Sequence, residues 1–219
     1  MPTTISGQGI ISTNGVQFTG LKVKNIVTIT SSQTYTVPAG ISQIKVVVTG
    51  GGGGGGSHNS DDSQGGGGAG GTAVKWINVV PGAQYYCTIG GGGAQSTGNT
   101  SGGGGTGGSS SFGSECSATG GTGVPTWAIG GRGGVGSGGD LNLYGSDGHT
   151  GSIDGGGNEE AGGNGGDSYW NGAGTGGSYW SARQTARGWG CGGSGSHANS
   201  ANDGTPGMQG VVVIEEYGI

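Results

Sequence analysis

Charged side chains are scarce in this chain of 219 residues, in which 12 Asp and Glu and 7 Lys and Arg leave a formal net charge of -5. No basic cluster could neutralise a run of phosphates, so we do not expect nucleic acid as a partner. Long apolar runs are also missing. The longest is interrupted by Ser42, Gln43 and Lys45 and is much shorter than the ~20 residues of a membrane-spanning helix. We therefore expect no membrane insertion.

Proline and cysteine are sparse as well. Five prolines exclude collagen, which requires abundant proline and glycine at every third position. The three cysteines, Cys87, Cys116 and Cys191, are odd in number and lack the spacing of metal ligands. We interpret them as small, partly buried thiols. One disulfide is the alternative, and the sequence does not choose the pair.

Glycine, by contrast, is present 64 times, against an average usage of about 7% in proteins. Glycine loses more backbone entropy on folding than any other residue and brings no side chain to bury. Because only 29% of the residues are hydrophobic, we expect an apolar core to involve only part of the chain. Backbone hydrogen bonds must hold the rest.

Alternating and β-branched stretches predict strands, and no window has the periodicity of an amphipathic helix. Turn signals at Pro38-Ala-Gly40 and Pro81-Gly82 separate successive stretches. The pattern favours an antiparallel, jelly-roll-like sandwich over βαβ units. The predicted strands are 21–30, 34–37, 43–49, 72–80, 84–89, 109–118 and 211–217.

Glycine runs lie between and after these strands, the clearest at 50–56, 65–71, 90–93, 102–108, 120–123, 130–139, 162–166, 172–177 and 188–195. Flexible linkers are one possible origin, but linkers do not usually recur so often between strands as apolar as 44–48. We favour polyglycine II rods, which are left-handed helices of the polyproline II type packed side by side. Neighbouring backbones without Cβ atoms approach closely enough for N–H···O and Cα–H···O contacts. Partial disorder is the alternative.

Motifs of catalysis and metal binding are absent or weak. The chain has no Gly-Lys dipeptide and no G-x-S-x-G, which excludes a P-loop and a nucleophile elbow. One copy of a calcium nonapeptide, residues 162–170, has no tandem repeat and is interpreted as coincidence. The three histidines and the acidic pairs at 61–62 and 159–160 are interpreted as solvated loop residues. We expect no enzyme activity, no cofactor and no metal site.

Aromatic residues cluster late in the chain, between glycine runs. Gly-Gly-Asp-Ser-Tyr-Trp at 165–170 recurs as Gly-Gly-Ser-Tyr-Trp at 176–180. Tyr, Trp and Arg dominate binding hot spots, and here they would lie on loops at rod ends. The alternative, nearly as well supported, is that they cap the glycine bundle against water. The candidate receptor-binding residues are Tyr169, Trp170, Tyr179, Trp180, Arg183, Arg187 and Trp189.

Several segments together resemble the glycine-rich proteins encoded among the tail genes of bacteriophages. They are Tyr35-Thr-Val-Pro-Ala-Gly40, Lys45-Val-Val-Val-Thr-Gly-Gly-Gly, Ala73-Val-Lys-Trp, Val-Pro-Gly82-Ala-Gln-Tyr85, Ser110-Ser-Phe-Gly113 and Gly210-Val-Val-Val-Ile-Glu-Glu-Tyr217. The rods and loops are also similar to the tail-fibre tip adhesins of T-even-like phages. Strands combined with polyglycine occur in the glycine-rich region of anaplastic lymphoma kinase too, beside a TNF-like jelly roll. The chain departs from the T-even adhesins because it lacks their tryptophan-rich attachment domain.

The resemblance implies a receptor-binding tip that recognises a bacterial surface protein or glycan. Residues 1–33 would form an attachment segment, and residues 34–219 an all-β domain with TNF-like strands framing the rods. Other tail-fibre proteins are expected partners, with a homotrimer as the assembly. Because residues 1–20 carry no signal peptide, synthesis in the host cytoplasm and a place in the virion tail are expected. A purely structural tip is the alternative, and an ice-binding protein is a weaker one.

Overall fold

A computed structural model of the chain describes residues 5–6, 9–11, 17–18, 20–57, 63–97, 103–125, 128–152, 161–178, 182–197 and 203–219. All regular elements in these ranges are β-strands, so the expected absence of α-helix holds for them. Within the same ranges there is consequently no apolar helix of bilayer-spanning length. The strands are β1 (Ile5–Ser6), β2 (Gly9–Ile11), β3 (Gln17–Phe18), β4 (Lys22–Ile29), β5 (Gln33–Thr36), β6 (Gln43–Thr49), β7 (Thr72–Asn78), β8 (Gln84–Thr88), β9 (Ser110–Phe112), β10 (Cys116–Ala118), β11 (Gly136–Ser137), β12 (Leu141–Leu143) and β13 (Val211–Gly218).

Two antiparallel five-stranded sheets face each other. One has the order β12-β7-β6-β13-β4 and the other the order β11-β10-β9-β8-β5, while β1, β2 and β3 form a separate small sheet. Strand β4 is an edge strand that pairs with β13 over seven residue pairs, from Ile29 opposite Val212 to Lys22 opposite Gly218. The all-β, antiparallel architecture expected from the sequence is confirmed at this level.

The core lies between the two sheets, because alternate residues of each strand point inward. Ile44, Val46 and Val48 of β6 are buried against residues of the second sheet such as Cys87 and Phe112. The buried hydroxyl of Tyr35 donates a hydrogen bond of 2.9 Å to the Glu216 carboxylate. The expectation that the apolar core would involve only part of the chain agrees with this small set of inward residues.

Most predicted strands occur where the pattern placed them, and 43–49 coincides with β6 residue for residue. The stretch 109–118 is wrong as a single strand. It is a hairpin of β9 and β10, turned at Gly113, whose φ of 50° favours glycine. The short strands β11 and β12, which pair with β10 and β7 in different sheets, were not predicted, because 136–143 contains no β-branched residue. The turn signals at Gly40 and Gly82 are confirmed by positive φ angles of 81° and 85°.

The glycine runs are tied together by backbone hydrogen bonds with a period of three. The N–H groups of 50–56 donate in turn to three neighbours: Gly50, Gly53 and Gly56 to 65–71, Gly51 and Gly54 to 105–108, and Gly52 and Gly55 to 205–208. The carbonyl oxygens of Gly51 to Gly56 accept, in the same rotation, from 121–124, 93–96 and 193–196. Segment 50–56 is therefore surrounded by six other segments, and 64–71 has six neighbours of its own.

These segments are arranged as six pairs, each running away from the sandwich and then back to it. We call the pairs together the glycine bundle: 50–57 with 63–71, 90–97 with 103–109, 119–125 with 128–135, 144–152 with 161–167, 172–178 with 182–188, and 190–197 with 203–210. Outgoing segments begin at strands such as β6 and β8, and returning segments lead into strands such as β7, β9 and β13. Lys22 and Gly218, which pair with each other, lie at the opposite end of the sandwich.

Candidate functional site

The end of the glycine bundle that lies away from the sandwich, which we call the far end, gathers the outer ends of the six segment pairs. The Ser57 hydroxyl donates to the Ser96 hydroxyl at 2.9 Å, and the Gly204 N–H donates to the Ser96 carbonyl at 3.1 Å. The Ser196 N–H donates to the Gly56 carbonyl, and the Gln64 N–H donates to the Ser196 carbonyl. Residues far apart in the sequence are thus brought together at one end of the bundle.

Buried polar side chains lie just beneath the far end. Ser57, Ser63, Gln64 and Ser196 are almost fully buried. Among the described residues, neither the Gln64 Nε2 nor the Ser196 Oγ has a hydrogen-bond partner. A buried polar group without a partner costs about 1–3 kcal/mol. This cluster of buried polar side chains was not predicted from the sequence. The serines that directly flank the glycine runs could have indicated it.

Tyr169 and Trp170, the first two predicted site residues, lie at the sandwich end of the bundle. The Trp170 indole N–H donates to the Thr49 hydroxyl at 3.0 Å, and Thr49 is the last residue of β6. The Tyr169 and Trp170 rings meet edge to face with centroids 5.0 Å apart. Trp170 is half-buried, whereas Tyr169 is 51% exposed. Trp170 therefore covers the junction of sandwich and bundle, and Tyr169 faces solvent beside it.

Two of the remaining predicted residues, Trp189 and Arg187, also lie at the sandwich end, where the Arg187 N–H donates to the Gly172 carbonyl at 2.8 Å. The Trp189 carbonyl accepts a bond from the Ser168 hydroxyl at 2.6 Å, which places Trp189 at the sandwich end. Arg187 is exposed and its guanidinium contacts the Gln184 side chain at 3.4 Å, while Arg183 is half-buried. Tyr179 and Trp180 lie outside the described residues, between Ser178 and Ala182. The Gly162 N–H bonds the Gly177 carbonyl, so segment 172–178 ends at the far end.

The cysteines offer no reactive thiol. All three are free and buried. Burial raises the pKa of Cys87 and of Cys116 to about 11 and also raises the pKa of Cys191. Over the part of the chain that the structure describes, no group of three or more His, Cys, Asp or Glu side chains is placed to hold a metal ion.

Comparison with protein families shows to which family the chain belongs. The sequence model of a family described as a glycine-rich domain matches residues 27–217. The chain belongs to this glycine-rich domain family. A comparison with curated proteins found no match.

The glycine-rich domain match covers both large sheets from the last three residues of β4 to β13, together with all six segment pairs. Sandwich and bundle are therefore parts of one family unit, and residues 1–26 lie before the match. The far end belongs to the family unit as well, because each outer connection lies within residues 27–217.

Proposed function

We propose that this chain is a receptor-binding module of a bacteriophage tail, which contacts a bacterial surface protein or glycan through the far end of its glycine bundle. The observation that carries the proposal is that the outer ends of six segment pairs meet at one end of the bundle. The sandwich holds the bundle at its other end. Binding residues are commonly placed on loops that a rigid scaffold positions.

Within this proposal, the segments of the bundle are polyglycine II helices. The support is the period of three in the hydrogen bonds of 50–56, since a helix with three residues per turn presents each third N–H to the same neighbour. A rise of about 3.1 Å per residue gives segments of seven residues a length of about 20 Å. Six neighbours around one segment also suit a hexagonal packing of such helices.

We also infer a jelly-roll-like arrangement of the sandwich strands. Its support is that the chain crosses from one sheet to the other between β4 and β5, between β5 and β6, and between β7 and β8.

The chemistry of the outer connections suits recognition. Between the described ends of the segments the sequence carries His58, Asp61 and Asp62 in one connection, Trp127 in another, and Tyr179 with Trp180 in a third. Aromatic side chains supply large contact areas at low entropic cost, and acidic and amide groups supply hydrogen bonds. Gln64 Nε2 and Ser196 Oγ, which have no hydrogen-bond partner among the described residues, add buried polar groups at the same end of the bundle.

The biological setting is part of the same proposal. The sequence resemblance supports a virion tail location, attachment through the end of the sandwich where β4 begins, other tail-fibre proteins as partners and a homotrimer as the assembly. Binding rather than catalysis is proposed because the sequence has no motif that pairs a nucleophile with a base.

The test measures binding of the labelled full chain to a panel of bacterial strains. Replacing both Tyr179 and Trp180 by Ala should weaken binding by about tenfold or more. The melting temperature should change no more than it does for an ordinary surface substitution. Tyr86→Ala is the matched control, since Tyr86 is an exposed aromatic on the sandwich.

Two outcomes would count against a receptor-binding tip. If the wild-type chain binds no strain but assembles with tail-fibre proteins, the module is a purely structural tip. If the double variant loses binding only in proportion to its loss of folded protein, the two aromatics cap the bundle instead.

A further inference from the structure

The outer face of the sheet β12-β7-β6-β13-β4 is covered only in part. On the half nearest the bundle, Val47, Val74 and Val211 are buried although they point away from the core between the sheets. Thr49 lies on this outer face, and its hydroxyl bonds the Trp170 indole. The other half of the face exposes 45% of Trp76, with Ile26 and Val23 of β4 also exposed.

Four side chains on the uncovered half hold one another in place, and we call them the Trp76 platform: Lys45, Trp76, Glu215 and Tyr217. Trp76, Lys45, Glu215 and Ile26 form one row across four strands, because each is directly opposite the next. The Trp76 and Tyr217 rings lie 5.1 Å apart at 45°. Lys45 Nζ lies 2.8 Å from the Glu215 carboxylate and 6.0 Å from the Trp76 ring centroid.

The charges of this platform cancel within it. Lys45 and Glu215 pair with each other, and the Tyr217 hydroxyl donates to the second oxygen of Glu215. The hydrogen bond from Lys45 lowers the pKa of Glu215, so the carboxylate remains an acceptor at neutral pH. Beside it, the Gln43 amide donates to the Asn78 amide oxygen at 3.0 Å. The platform is therefore an exposed aromatic surface of zero net charge, bordered by amide and carboxylate groups.

We propose that the outer face of this sheet is a second binding site, which takes a neutral oligosaccharide stacked on the Trp76 ring. A pyranose ring offers a face of C–H groups to an aromatic ring and hydroxyls to amides and carboxylates at its rim. Lys45 and Glu215 neutralise each other on the platform, and the Asp140 carboxylate beside it, which accepts a hydrogen bond from the Trp76 backbone N–H at 2.8 Å, would repel an anionic ligand. The aromatic face and its polar rim match a glycan better than a protein, whose contact would need a larger apolar centre.

The uncovered half of the face also has room for more than one sugar unit. The row from Trp76 to Ile26 crosses four neighbouring strands. Three spacings of ~4.8 Å between neighbouring strands make this row about 14 Å long. An oligosaccharide extended across the strands would lie along this row. This site is separate from the far end, so it does not depend on the function proposed above.

The test applies the purified full chain to an array of neutral hexose oligosaccharides, comprising α- and β-glucans, mannans and galactans, with a sulfated polysaccharide for comparison. We expect at least one neutral glycan to be retained, with affinity unchanged when salt rises from about 0.05 to 0.5 M. Trp76→Ala should weaken that binding about tenfold or more, whereas Tyr86→Ala, which removes an exposed aromatic from the other sheet, should leave it unchanged.

A second variant guards against a folding defect in Trp76→Ala. Gln43→Ala with Asn78→Ala removes only surface amides and should weaken binding several-fold with an unchanged melting temperature. The proposal is overturned if no neutral glycan is retained, if Trp76→Ala binds as the wild type does, or if the sulfated polysaccharide is preferred. A change in oligomeric mass of Trp76→Ala without glycan binding would assign the face to a protein contact. None of these results bears on cell binding by the far end.

Discussion

At the scale of single residues, Gly53 shows that a position in the bundle can require glycine for packing rather than for backbone conformation. A Cβ on Gly53 would collide with the carbonyl oxygen of Thr122 in a neighbouring segment, whereas a Cβ on Gly91 would meet nothing within 4 Å. Neither residue has a positive φ angle. Substitutions at Gly53 and Gly91 therefore test the effect of packing without adding backbone strain.

We predict that Gly53→Ala lowers the free energy of unfolding by about 1–3 kcal/mol or more, since the neighbouring backbone must move to admit the methyl group. Gly91→Ala should be neutral or stabilising by up to about 1 kcal/mol, because it restricts the unfolded chain. Chemical denaturation of both variants measures the difference. Equal effects would mean that the segments are not packed backbone to backbone.

The buried thiols give a second prediction at this scale. The pKa of Cys87 and of Cys116 is raised to about 11 in the folded protein, above the value of about 8.5 for an exposed thiol. The unfolded chain therefore loses these protons first as the pH rises, and stability present below about pH 8.5 is lost towards pH 11. Denaturation curves at about pH 7.5 and 10.5, on either side of the unfolded-state pKa, should show this loss.

The matched control is the double variant Cys87→Ala with Cys116→Ala. It keeps the tyrosines that also titrate at high pH, so the difference between the two proteins isolates the thiols. If the double variant loses as much stability between these two pH values as the wild type does, the loss does not come from the thiols.

At the scale of elements, the turn between two bundle segments is fastened to the sandwich by Trp170. Its indole N–H bonds Thr49, whose hydroxyl lies 2.9 Å from that of Thr72 in the next strand. Trp170→Phe should cost about 0.5–1.5 kcal/mol through the lost hydrogen bond, and Trp170→Ala up to about 3 kcal/mol through the lost packing. Tyr169→Ala, at the exposed neighbour, should stay within about 0.5 kcal/mol. Thermal and chemical denaturation check the order; equal losses at both positions would refute it.

The elements could be predicted from the sequence far better than the site. Strand β6 was found to the residue because a β-branched run of this length, bounded by a turn and a glycine run, is typical of a buried strand. The turns were found because Gly40 and Gly82 follow prolines. The sequence predicts a rod-end loop for the aromatic pair at 169–170, but composition does not tell at which end of the bundle that loop lies. The end depends on how many times the chain reverses direction before it reaches these residues. The Trp76 platform was missed because its residues come from three strands and meet only in the folded sheet.

At the scale of the whole molecule, sandwich and bundle are expected to unfold together. Each of the first three segment pairs lies between strands of the sandwich, so one part cannot open without pulling on the other. We predict that the amides of Gly51 to Gly55 are protected from hydrogen exchange about as strongly as those of β6, although they belong to no strand. Exchange followed by mass spectrometry or NMR measures this. Rapid exchange of those amides beside a protected β6 would show that the glycine runs are linkers.

The pairing of Lys22 with Gly218 determines how the protein would bear tension. Strand β13 continues from the bundle, while β4 enters at the opposite end of the sandwich. A pull between Lys22 and the far end would draw the two neighbouring strands in opposite directions along their length, so their seven residue pairs would resist shear together. A pull between Lys22 and Gly218 would instead unzip the same pairs one after another. The protein would thus withstand a load between Lys22 and the far end better than a load between Lys22 and Gly218.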